Sequence, residues 1–335
     1  MTSYDGLGRL VEERHLMTAA AEKRPIYLDC DTGIDDSLAL AYLLASPDVE
    51  LVGVGTVSGN TSAAQAARNS LALLELAGRS DVPVAVGAHD PLRGRFDGGV
   101  PHIHGHNGIG GVEVPEASRR PEEGTAAELL LRLSREYEGA LEVVAVGPQT
   151  NLARALALDP ALAGRVAAVT AMGGAALAPG NVTAVAEANI WNDPEAAQIV
   201  IEAGWKVTLV PLDITLENTL DEGDRARLLA SPVPLARALG QMLDHYFEFY
   251  LPLYGVRSCP LHDPMAAAVA ARGVVPTRAP AVAVEVDTTD GPGRGQTIAD
   301  LRGQRRGALD QEGATVRVVL EIDRPLGPHL VDLLV

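Results

Sequence analysis

The sequence predicts an α/β protein, with an open, mostly parallel sheet, helices on both faces and a small antiparallel addition at one edge near the C-terminus. Three observations carry this. From Pro25 onward, short apolar β-branched runs alternate with stretches of helical apolar spacing, the pattern of a parallel sheet covered on both sides. The first such run ends in a dense group of acids, at the carboxyl end of a strand, where Rossmann-like open sheets bind ligands. A chain of 335 residues with 47% hydrophobic and 21% charged side chains is long enough for a sizeable core and globular in composition.

The elements follow in order. Residues 26–30 read as the first strand and 36–45 as a helix; 50–57 is a second strand and 63–77 a second helix. Further strands are expected at 82–87, 141–146, 166–171 and 207–210, with helices at 150–157, 194–203 and 234–250. Residues 281–287 and 315–322 read as an antiparallel edge pair joined through a Gly-rich connection at 290–295. Residues 90–115 form a Gly- and His-rich loop, long enough to suggest function. Residues 1–24 read as an N-terminal extension, either helical around residues 7–17 or without fixed structure, and 25–335 as one domain.

Charge narrows the partners. With 27 Lys+Arg against 44 Asp+Glu the net charge is −17, and no stretch is dense in basic residues. That excludes a nucleic-acid polymer and disfavours an anionic membrane surface. Two cysteines, Cys30 and Cys259, make no disulfide framework. No apolar run resembles a signal-peptide core or a membrane span, so a cytoplasmic location is expected.

The strongest local feature is Asp29-Cys30-Asp31-Thr32-Gly33-Ile34-Asp35-Asp36. So many carboxylates at a buried strand end are costly unless a positive charge sits among them, and a hard divalent cation with oxygen ligands fits. Gly33 is expected to allow a sharp turn. The plainer alternative is that Asp35 and Asp36 only complement the helix dipole and Asp31 serves a turn. Haloacid-dehalogenase-type phosphatases share the Asp-x-Asp start, but have Thr or Val where this chain has Gly33 and lack the Asp35-Asp36 pair.

Further segments then appear in a telling order: Thr56-Val57-Ser58-Gly59-Asn60, His104-Gly105, Val146-Gly147-Pro148-Gln149-Thr150-Asn151, Met172-Gly173-Gly174, Gly180-Asn181-Val182-Thr183, Ala186-Glu187-Ala188-Asn189, Asn192-Asp193-Pro194 and His262-Asp263-Pro264. Together with the acid cluster they resemble the inosine–uridine-preferring nucleoside hydrolase family, over nearly everything from Pro25 onward. The resemblance implies Ca²⁺ held by Asp31, Asp36, Asp263 and the carbonyl of Thr150, with Asp31 also the general base for water. It implies that Asp35 and Asn60 face the ribose 2′-hydroxyl, Asn189 the 3′-hydroxyl, and Asn181 with Glu187 the 5′-hydroxyl. Asp263 borders both metal and sugar, and Met172 packs beside the sugar. His262 is the expected proton donor to the leaving base and His104 a second candidate near it. An all-oxygen site suits Ca²⁺ on chemical grounds too, and clustered carboxylates suit the oxocarbenium-like charge of glycosidic cleavage.

Alternatives stand beside these roles. His262 is also placed to orient the helix that starts at Pro264. His102, His104 and His106 alternate as transition-metal ligands on a strand would, but the surrounding Pro and Gly residues oppose a strand. Asn60, Asn181 and Asn189 are also turn formers. Ala188 departs from the aromatic usual in the family, so the pocket is roomier, ribose binding is weak, or Trp191 fills the gap. Residues 243–254 carry Tyr246, Phe247, Phe249, Tyr250 and Tyr254 in a chain with only 7 Tyr, 3 Phe and 2 Trp. Most are expected in the core, with Tyr246 or Tyr250 a candidate for contacting the base.

The expectation is a Ca²⁺-dependent ribonucleoside hydrolase acting on a small uncharged nucleoside, with a homodimer or homotetramer implied by the resemblance. The alternatives are a catalytically weak or silent ribose-binding protein of the same fold, and a hydrolase of another N-riboside such as nicotinamide riboside.

Overall fold

The computed structural model describes residues 23–307 and 309–335. Of the expected N-terminal extension only Lys23 and Arg24 are among them, and the helix considered around residues 7–17 lies outside. Arg24 opens the first strand, where its guanidinium bonds the carboxylate of Glu142 at 2.9 Å and the Ala270 carbonyl at 2.8 Å.

Six of the eight strands of the main sheet come first along the chain: β1 (Arg24–Cys30), β2 (Val49–Thr56), β3 (Val84–Val86), β4 (Glu142–Ala145), β5 (Ala168–Met172) and β6 (Val207–Val210). A short hairpin-like pair follows, β7 (Thr219–Asp221) with β8 (Ser258–Pro260). The C-terminal part adds β9 (Pro276–Arg278), β10 (Ala281–Val282), β11 (Val284–Val286), β12 (Thr297–Ala299), β13 (Val316–Val318) and β14 (Glu321–Ile322). The 8-stranded sheet has the order β10-β13-β6-β5-β4-β1-β2-β3, parallel throughout except at the edge strand β10.

The chain winds one way through β1, β2 and β3 and the other way through β4, β5 and β6. The reversal falls between β1 and β4, so the crevice at their carboxyl ends is the expected ligand address. Strand alternation splits the core between the two faces. Ile26, Leu28 and Cys30 join one buried cluster and Tyr27 the other, as a two-residue side-chain period requires. The helix Ile34–Ala45 is buried from Ile34 through Leu43 and packs against the helix His262–Ala270. That packing brings the start of the chain to its end.

The expected parallel sheet, its order of strands and helices, and the antiparallel edge are all present. One detail differs at the C-terminus. Residues 281–282 do pair with 316–317, but β11 pairs with β12 and β14 with β9. The Gly-rich stretch therefore turns within the β11–β12 ribbon and does not join the edge pair. Here Gly and Pro interrupt runs too short to show a period. The helices Ala126–Glu136, Glu222–Ala230 and Leu326–Leu334 complete the sequence-based reading. The first had a legible start: Thr125 caps it and Glu128 reaches back to the Thr125 backbone N–H at 2.7 Å. No helix among the described residues is long and apolar enough to cross a membrane.

Candidate active site

The acid segment divides as it leaves β1. Asp29 stays within β1 and outside the cleft lining, where Tyr27 Oη donates to Oδ2 at 2.9 Å and Asn151 Nδ2 donates to both oxygens at 3.1–3.2 Å. Asn151 also donates to the Thr56 carbonyl, so Asp29 stitches β1, β2 and the helix Thr150–Leu158 together. Burial pushes its carboxyl up to about 7, against the opposing effect of these hydrogen bonds. The crowding that suggested a cation therefore involves Asp31, Asp35 and Asp36, without Asp29.

Asp36 builds the turn. Its oxygens accept from the backbone N–H groups of Asp31 at 3.0 Å and Gly33 at 2.8 Å, and from Asn60 Nδ2 at 3.0 Å. Asn60 in turn donates its backbone N–H to Asp31 Oδ2 at 2.5 Å. Gly33 sits in this turn with φ −88°, so the turn needs no left-handed conformation there. Gly33 is there for space: a Cβ would lie 2.6 Å from His104 Nδ1 and 2.7 Å from Asn60 Nδ2.

One oxygen from each of Asp35, Asp36 and Asp263 falls within 4.8 Å of the others, and all three residues are buried. Asp31 interacts with Asp36 and with Asp263, while its Oδ1 and Asp35 Oδ1 are buried acceptors without a hydrogen-bond partner. Burial raises every one of these carboxyls, and repulsion between them raises Asp31, Asp36 and Asp263 further, while His262 and the Tyr246 hydroxyl draw Asp35 back down; Asp36 reaches about 6. Orphaned carboxylate oxygens in such a group are what a hard cation requires. The donor set fits a divalent metal bound through oxygen. Thr150 begins the helix after β4, and its hydroxyl is committed to Asp193 Oδ2 at 2.6 Å.

Beside the acids lies a cleft of about 190 Å³ with Asp35, Asp263 and Asn60 in its lining; Asp31, Asp36 and Thr150 are buried and outside that lining. One wall is aromatic. Tyr246 Oη donates to Asp35 Oδ2 at 3.2 Å, and the Tyr246 ring lies 5.3 Å from that of His104 and 5.0 Å from that of Tyr250. His262 bridges Thr215 Oγ1 through Nδ1 at 2.8 Å and Tyr250 Oη through Nε2 at 3.4 Å. Burial pushes the His262 imidazole down to about 4 and that of His104 to about 3, so both are neutral at pH 7. The Ile34 N–H donates to His104 Nδ1 at 3.0 Å, which leaves the His104 proton on Nε2.

The opposite wall comes from β5 and the loop after it. Asn189 Nδ2 donates to the Val146 carbonyl at 3.0 Å and the Met172 carbonyl at 3.2 Å. Glu187 caps the helix Ala188–Asn192, accepting from the N–H groups of Asn189, Ile190 and Gly174 at 2.9–3.1 Å. Burial pushes its carboxyl up to about 7. Asn181 Oδ1 accepts from the Ala188 N–H at 3.0 Å, and Met172, Ala188 and Trp191 share the same wall.

Residues 26–326 match the model of the family described as inosine-uridine preferring nucleoside hydrolase. The chain belongs to that family. As a member it is an N-glycosyl hydrolase of ribonucleosides, and the buried acid group suits the metal on which the family depends. Among curated relatives, probable uridine nucleosidase 2 of Arabidopsis thaliana is 35% identical over 93% of this chain and 98% of its own length. The pyrimidine-specific ribonucleoside hydrolase RihA of Salmonella enteritidis is 39% identical over 72% of this chain and 77% of its own. Among solved structures, a purine-preferring ribonucleoside hydrolase from Gardnerella vaginalis superposes with a TM-score of 0.83 at 34% identity, covering 93% of this chain and 99% of the other.

In this nucleoside hydrolase the predicted site residues Asp35, Asn60, His104, Met172, Asn181, Glu187, Asn189, His262 and Asp263 all border one cleft. His102 and His106 are exposed while His104 is buried, so the three do not converge. Sequence reasoning did not find Thr215, whose hydroxyl holds His262; it carries no motif of its own and comes from the helix Leu212–Thr215.

Proposed function

We propose that this nucleoside hydrolase is Ca²⁺-dependent and takes uridine among its substrates, cleaving the N-glycosidic bond to free base and ribose. The observation that carries the reading is the buried carboxylate group of Asp35, Asp36 and Asp263 with the orphaned oxygens of Asp31 and Asp35, beside the cleft. Asp31, Asp36 and Asp263 with the Thr150 carbonyl would hold the ion. Bound there, Ca²⁺ supplies a fixed positive charge that orients ribose hydroxyls and acidifies water.

The chain's own groups do the rest. Asp31 takes the proton of the attacking water, its Oδ2 fixed by the Asn60 N–H and its Oδ1 free of protein donors. Asp35 and Asn60 face the 2′-hydroxyl, Asn189 the 3′-hydroxyl, and Asn181 with Glu187 the 5′-hydroxyl. The buried acids stabilise positive charge developing on the sugar. His262, neutral at rest, takes up a proton from solvent and passes it to the departing base, with Tyr250 on its Nε2 and Tyr246 beside it, and His104 contacts the base from the other side. Uridine is chosen because curated relatives at 35–39% identity are named as uridine or pyrimidine-specific enzymes. The resemblance also favours a homodimer or homotetramer, which light scattering on the purified protein decides.

The test is release of reducing sugar from uridine, cytidine, inosine and nicotinamide riboside by the purified chain. We expect uridine turnover that a chelator abolishes and Ca²⁺ restores. No turnover on any of the four overturns the reading, and full restoration by Mg²⁺ but not Ca²⁺ overturns the choice of ion.

A further inference from the structure

The aromatic wall belongs to a single long helix, Pro234–Tyr254, and that helix is fastened on the side away from the cleft. Arg257, just past its C-terminal cap at Gly255, folds back along it. The guanidinium donates to Asp244 Oδ1 at 2.7 Å and to Glu248 Oε1, one helical turn apart, and to Glu222 Oε2 of the neighbouring helix at 2.9 Å. Its carbon lies 5.8 Å from the centre of the Phe247 ring, which is wholly buried between those two acids. Arg225 doubles the fastening: it bonds Glu222 at 2.6 Å, lies 3.2 Å from Asp244, and donates to the Gly240 carbonyl at 3.0 Å.

Tyr246 and Tyr250, two residues on from Asp244 and Glu248, stand on the opposite face of the same helix, toward the cleft. Their contacts with Asp35 and His262 are single hydrogen bonds at 3.2 and 3.4 Å, so a small rotation or slide of the helix breaks them. Pro252 removes one backbone hydrogen bond near the C-terminal end, which makes an outside fastening more important there. A planar fork that meets two acids on one helix and one on the next fixes both rotation and height, which a lysine does not.

We propose that Arg257 is a positioning residue for leaving-base departure: it clamps the helix that carries Tyr246 and Tyr250, so that the Tyr250–His262 and Tyr246–Asp35 contacts persist while the cleft is filled. The proposal rests on the reading above that His262 and these tyrosines assist the base. Its consequence is selective. Loss of the clamp slows substrates whose base must be protonated and spares a riboside whose leaving group departs as a stable anion.

The experiment compares uridine with 4-nitrophenyl ribofuranoside for the wild type, Arg257→Ala, Arg257→Lys, Glu248→Gln and Tyr250→Phe, all with Ca²⁺ present. For Arg257→Ala we expect kcat on uridine to fall at least fivefold while kcat on the nitrophenyl riboside changes less than twofold, with Arg257→Lys intermediate. Glu248→Gln, which removes one contact, shows the same selectivity in weaker form and keeps the test open if Arg257→Ala does not fold. Unchanged uridine kinetics, or an equal loss on both substrates, overturns the clamp. If Tyr250→Phe itself shows no selectivity between the substrates, the assignment of the base-side residues falls, and a selective Arg257→Ala is then required to act by some other route, which also overturns this proposal.

Discussion

Glu187 shows how one side chain serves both fold and site. Its two oxygens accept three backbone N–H groups, from Gly174, Asn189 and Ile190. Glu187→Gln turns an –NH₂ group toward at least one of those donors, leaving a buried clash of donors that costs about 1–3 kcal/mol; chemical denaturation checks it. Asp31→Ala removes the proposed base and is expected to lower kcat on uridine by about 10²–10⁴-fold. A loss below tenfold would exclude that role. At Ala188 the neighbouring Trp191 shares the cleft wall, so Trp191→Ala is expected to raise KM for uridine about tenfold with little change in kcat, as removal of uniform binding does.

The pH response follows from the same residues. Asp29 and Glu187 both sit near 7 in the folded protein because they are buried, against about 4 for carboxyls of an unfolded chain. Between those values the folded state holds protons that the unfolded chain has released. These two and the raised carboxyls of Asp31, Asp35, Asp36 and Asp263 lower the stability of the metal-free protein as pH rises through that window, by up to about 1.4 kcal/mol per pH unit for each group, and the two histidines held low, His104 and His262, offset part of this below about pH 6.5. Denaturation of chelated protein across that window tests the direction; a rise in stability with pH would refute it.

At the scale of elements, the sequence revealed what is periodic or punctuated and hid what is neither. The strand from Ile26 to Cys30 and the helices at 150–158 and 194–202 were legible because buried runs mark them and, at 194–202, because Asp193 caps the start and Pro194 opens it. The base-side wall was half legible. An aromatic-rich helix was visible, but its period alone cannot say which face meets a cleft: Phe247 is core while Tyr246 and Tyr250 line the site. The small C-terminal strands were misjoined because runs of two or three residues carry no period. Asp29 was grouped with its neighbours because adjacent acids look alike until the strand's end is located: Asp29 lies within β1, held by Tyr27 and Asn151, and the other acids lie past Cys30. A cap is a cheaper check on the same logic. Thr125→Ala should destabilise the protein by about 1 kcal/mol without altering turnover, measured by denaturation and a uridine assay.

For the whole molecule, the site exists only because the first helix of the core lies beside a late one, Ile34–Ala45 against His262–Ala270. An ion that bridges Asp36 and Asp263 ties those regions together in the folded state alone. Ca²⁺ at a hundredfold excess over its dissociation constant then adds about 2.7 kcal/mol, and a thermal melt should rise by several degrees on its addition and fall back with chelator. No shift would show that the ion is not held by the fold.

That adjacency has a cost in time. On the ribosome, Asp31, Asp35 and Asp36 emerge early, while Asp263 must wait for most of the remaining chain. At about 5–20 residues per second, the two halves of the proposed ion site are separated by on the order of ten to forty seconds of synthesis. During that interval the nascent sheet carries a knot of like charges with no counter-ion cage to close around it. Translation thus sets an order of events: the cleft can assemble only as the final helices arrive.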